Sequence, residues 1–172
     1  RNSYRAVKIF NDEMLLHESL KRGGGFGATR DLRAGMPGKI IQGLRDIAKE
    51  TGQTESTIYG TASSAASARG ALSREAMLDA TRIAARLAPE SGAEQQATAG
   101  GLLDLAKVTG SSSAKENAGF MLAMGAQARV ESLESINKAL VPAAIGVAGY
   151  GGKPGDAGAL VSTMTAVAGD QE

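Results

Sequence analysis

The seven residues Asp46-Ile47-Ala48-Lys49-Glu50-Thr51-Gly52 return 58 positions later as Asp104-Leu105-Ala106-Lys107-Val108-Thr109-Gly110, identical at five of seven places, and the Ile/Leu exchange keeps its apolar character. Each copy ends an apolar-periodic run with Thr-Gly. Glycine enters the left-handed region without the penalty a Cβ would bring, so the spelling describes a helix and its stop without calling for a ligand. Downstream, Ala68-Arg69 with Leu72 aligns with Ala128-Arg129 and Leu133 at offsets of 60 and 61, which keeps the copies in step with a small insertion. A shorter third copy is read from Gly149 through the last apolar run. Self-similarity on this scale directs the fold toward side-by-side helical units, each burying its apolar face on its neighbours.

The rest of the chain fits that frame. Val7, Phe10, Met14 and Leu15 recur at helical spacing within Tyr4 to Leu20, predicting an amphipathic helix that ends at Lys21-Arg22 and the glycine-rich run Gly23 to Gly27. Residues 1–37 are therefore read as this helix plus a linker, and residues 38–172 as a helical-repeat domain. Pro37 opens a helix bearing Ile40, Ile41, Leu44, Ile47 and Ala48, which Thr51-Gly52 closes. Thr54 or Ser56 caps an Ala-rich helix with Ile58, Ala62, Ala65 and Ala66, and Ser73 opens one whose face is Met77, Ala80, Ala84, Leu87 and Ala88. Ser91 to Glu94 and Ser113 to Glu116 both spell a capping box. The first introduces a helix ending near Val108, the second a helix with Phe120, Met121, Met124 and Ala128 on one face. Leu133 to Tyr150 and Pro154 to Ala168 complete the series, and Pro142 is expected to kink or divide the former. No stretch alternates with period two. The expected fold class is all-α, with about seven or eight short helices in stacked, weakly repeated units.

Composition narrows the chemistry. There is no Cys and one His, so no disulfide framework, thiolate site or His-rich zinc site can be built. Nineteen Lys and Arg against eighteen Asp and Glu leave a net charge of +1, which argues against a dedicated nucleic-acid binder, although residues 1–50 are mildly basic. Leu, Ile, Val and Phe number only 33 of 172, while Ala contributes 31 and Gly 23. Small residues let helices approach closely, but large buried side chains at about 1.5–3 kcal/mol each are few, so the core is expected to be thin. The longest uncharged stretch, Ala139 to Gly152, is too short and glycine-rich to span a bilayer of about 20 residues' depth, and the chain is expected to be soluble. The opening Arg, with no secretory leader pattern after it, suggests a processed product or a piece of a longer protein.

No motif survives inspection as a catalytic, cofactor or metal site. Gly23 and Gly25 are followed by Ala28 where a dinucleotide fingerprint needs its third glycine, and no strand precedes them. Gly38-Lys39 lacks both the earlier glycine, Arg33 standing there, and the following Ser or Thr, where Ile40 stands; Gly152-Lys153 fails likewise at Val147 and Pro154. His17 lies one turn after Glu13 and forms neither a triad nor a ligand set. Ser111-Ser112-Ser113 is explained by capping, and Met121 with Met124 by core packing. No catalytic residue, cofactor or metal is nominated.

The segment Gly101 to Gly110, with Phe120-Met121-Leu122, Ala126-Gln127-Ala128-Arg129-Val130 and Leu140-Val141-Pro142-Ala143, resembles tail tape measure proteins of tailed bacteriophages and prophages, and Ala157 to Leu160 through Ala168 to Asp170 is similar to the continuation of that region. The resemblance covers roughly residues 40–172. It implies a virion component, made in the host cytoplasm, that helps set tail length and lies in the tail lumen as a homo-oligomer of a few parallel copies. It further implies contacts with tail tube and tail tip or baseplate proteins, ejection ahead of the genome, and transient contact with DNA or host membrane during infection. Family members are usually far longer, and their measuring rod is extended helix and coiled coil, whereas no heptad persists here over three or four repeats. The expectation is a globular helical portion acting without catalysis. The competing expectation is a stand-alone α-helical-repeat module for protein–protein interaction.

Overall fold

A computed structural model describes residues 37–67 and 73–153. The expected helix Tyr4 to Leu20, the glycine-rich run, the Ala68-Arg69 turn and the last helix, Pro154 to Ala168, lie outside the described residues. Every regular element among the described residues is helical: α1 (Pro37–Thr51), α2 (Glu55–Ser67), α3 (Arg74–Leu87), α4 (Gly92–Thr109), α5 (Ala114–Ala128), α6 (Leu133–Ser135), a π-helical turn (Ile136–Leu140) and α7 (Val141–Gly149). The fold is all-α. The chain divides into two compact units, residues 1–103 and 104–172, so the second copy of the repeated heptad begins where the second unit begins.

In the first unit α1, α2 and α3 pack on one another. The apolar residues of α1 fall at i, i+4 and i+7, and Ile40, Leu44 and Ile47 are accordingly buried. Ile58, Tyr59, Ala62 and Ala65 of α2 and Met77, Ala84 and Ala85 of α3 close the same cluster, with Ala99 of α4 joining it. Tyr59 is fully enclosed and heads the largest buried side chains, in a core otherwise built from Ile, Leu, Met and Ala. Close approach compensates for the missing bulk: a Cβ on Gly43 would lie 2.9 Å from Leu78 Cδ1, and one on Gly60 would lie 3.0 Å from Gln96 Nε2. At the unit's surface Glu50 receives Arg82 at 3.1 Å and Arg86 at 3.8 Å, tying α1 to α3 through exposed charges of about 0–1 kcal/mol per pair.

In the second unit the π-helical turn packs against α5 and runs into α7. Its core is Ala118, Met121 and Met124 of α5, Ile136 and Leu140 of the turn, and Val141 and Ala144 of α7. Gly125 lets the two meet: a Cβ there would lie 2.7 Å from Ile136 Cδ1 and 2.9 Å from the Val130 carbonyl oxygen. The expected disruption at Pro142 takes a specific form. Proline offers no N–H and its ring collides with the carbonyl four residues back in an α-helix. Here the turn just before it is widened, with the Val141 N–H donating to the Ile136 carbonyl five residues back, so Pro142 enters α7 within its first two residues. No helix among the described residues is long and apolar enough to cross a membrane.

Candidate functional site

Among the described residues, buried polar side chains nucleate two hydrogen-bonded clusters, one in each unit, around Gln95 and Asn117. Thr61, Thr81, Gln95, Thr98 and Asn117 are all buried. In the first unit Gln53, just past the left-handed Gly52 (φ 68°), sends its amide Nε2 to the Ala85 carbonyl at 3.0 Å and accepts the Gln95 Nε2 at 2.6 Å. Gln95 Oε1 in turn accepts the Thr61 hydroxyl at 3.2 Å, a donor shared with the Thr57 carbonyl at 3.0 Å. The chain thus links the α1–α2 connection, α2, the end of α3 and the start of α4. Both amides spend a donor and an acceptor on protein partners, which offsets the cost of removing them from water.

The second cluster clamps the α4–α5 connection. Thr109 donates its hydroxyl to the Leu105 carbonyl at 3.0 Å and to Asn117 Oδ1 at 2.7 Å, while Asn117 Nδ2 donates to the Ser111 carbonyl at 2.9 Å. The Ser111 hydroxyl donates to the Glu116 carboxylate and accepts the Ser113 N–H at 3.2 Å; Ser113 Oγ then accepts the Glu116 N–H at 3.3 Å. The serine run therefore works as expected, as capping. The carboxylate of its capping box takes the Ser111 hydroxyl, two positions before the N-cap, while the Ser113 N–H that the box would ordinarily offer it goes to Ser111 Oγ.

The two heptad copies adopt the same end. Thr51 Oγ1 donates to the Ile47 carbonyl at 2.8 Å, as Thr109 does to Leu105, and Gly52 and Gly110 both sit in the left-handed region, at φ 68° and 72°. Thr54, Ser73 and Ser91 cap their helices, accepting the N–H three residues on at 3.2, 3.1 and 3.2 Å, which decides between Thr54 and Ser56. The Ala128-Arg129 turn is a Schellman end: the Val130 N–H reaches the Gly125 carbonyl at 2.8 Å, with Arg129 itself left-handed at φ 56°.

Gly38 and Lys39 lie in the first turn of α1, Gly152 and Lys153 follow α7, Met121 and Met124 are buried core, and His17 and Gly23 to Gly27 fall outside the described residues. Among the described residues no group of three or more His, Cys, Asp or Glu is placed to hold a metal ion. At the surface, a hydrogen bond from Lys138 at 2.6 Å, one helical turn away, holds fully exposed Glu134 below the ordinary range for a glutamate. The polar atoms of the two clusters face carbonyls, amides and hydroxyls, an arrangement suited to holding helices at fixed spacing. Gln95 and Asn117 are the residues sequence reasoning missed, because their partners Thr61 and Ser111 give no periodic signal that marks a polar position as interior. Comparison of the chain with family models, with characterised proteins and with solved structures finds no match.

Proposed function

We propose that this chain is a structural, non-catalytic helical segment of a phage tail tape measure protein, contributing to tail assembly, tail length and genome delivery through contacts with copies of itself and with tail proteins. The observation that carries the reading is where the residues of the resemblance fall. Thr109 and Gly110 form the helix stop, Met121 is buried core, Arg129 and Val130 form the Schellman end, and Leu140, Val141 and Pro142 make the passage from the π-helical turn into α7. These are packing and capping positions, so the reading rests on helix architecture and calls on no reactive group. An epitope on the encoding gene, followed into gradient-purified particles by mass spectrometry and located by cryo-EM, tests this. The chain is expected inside the tail, with tailless or length-altered particles when the gene is disrupted. Its absence from purified tails would reject the virion role and leave a helical-repeat interaction module.

A further inference from the structure

We draw no further inference here: the strongest candidate, the uncharged exposed stripe Pro142–Ile145–Gly146–Gly149 on α7 of the second unit, is an unpartnered apolar face, and nothing in the structure shows what covers it.

Discussion

Arg129 occupies a conformation that suits glycine, and replacing it measures what that mismatch costs. At φ 56° and ψ 38° it is left-handed, where a Cβ crowds the following carbonyl by about 1–2 kcal/mol. Its side chain is exposed, so Arg129→Gly removes no buried contact. The Arg129 N–H to the Ala126 carbonyl at 3.2 Å and the Val130 N–H to the Gly125 carbonyl at 2.8 Å are backbone bonds that survive the change. Against the relief stands the greater freedom of glycine in the unfolded chain, about 0.5–1 kcal/mol. The net expectation is a gain of about 0.5–1 kcal/mol, or roughly 2–8 °C in melting midpoint for a cooperative unit the size of residues 104–172. Thermal unfolding followed by circular dichroism at 222 nm, with Arg129→Ala as control for loss of the guanidinium alone, reads it directly. The alanine variant should show no such gain. A glycine variant no more stable than the alanine variant would refute the idea that strain at this helix end limits stability.

Four further outcomes follow from the same structure. Gly110→Val puts a branched side chain at φ 72° and should lower stability by about 1–3 kcal/mol, read as a lower melting midpoint; an unchanged midpoint would mean that the repeated Thr-Gly is not a left-handed stop. Gly125→Ala drives a methyl to 2.9 Å from the Val130 carbonyl, which cannot rotate away, and should cost about 1–3 kcal/mol in urea titration, whereas Gly119→Ala, with nothing within 4 Å, should be neutral or favourable. Gln95→Leu strands the Gln53 acceptor and should cost about 1–3 kcal/mol in urea titration; a variant as stable as the parent would show that the amide chain does not hold these helices. Lys138→Ala should raise the Glu134 titration midpoint seen by carbon-13 NMR. Because the folded-state value is depressed, the pair contributes only above the ordinary glutamate range and its contribution fades as pH falls through the folded-state midpoint.

How much of this was legible in the sequence divides along physical lines. Helix starts and stops rest on local chemistry, a hydroxyl three residues before an amide or a glycine free of steric limits, so Thr54, Ser73, Ser91, Ser113, Gly52 and Gly110 could be placed without knowing the fold. Ser132, which caps α6 by accepting the Ser135 N–H at 3.1 Å, carried the same local signal and was passed over beside the Ala-Arg turn. The apolar stripes of α1 and α3 were likewise readable. What lay beyond reach depends on partners distant in sequence: Gln95 is interior because Gln53 and Thr61 meet it across 42 and 34 residues, and no periodicity announces such a meeting. Pro142 declared a conflict, but the choice of a widened turn over a break is made by packing, since Ile136 and Leu140 on that turn are both buried. The candidate site followed the same rule. Ser111 to Ser113 were recognised as caps from spacing, while Asn117, which joins them to Thr109, was not.

The widened turn makes chain length and amino-acid identity interdependent at one place. From the Ile136 carbonyl to the Val141 amide the helix accommodates one residue more than an α-turn would, and does so immediately upstream of an imino acid. Deleting Ala139 would restore ordinary winding and leave both flanks in phase, yet it would also set the pyrrolidine of Pro142 against the carbonyl of Asn137, a collision of about 3 kcal/mol or more. A shortened version of this segment thus becomes viable only by exchanging its proline in the same step, and lineages would be expected to lose the two together or to keep both.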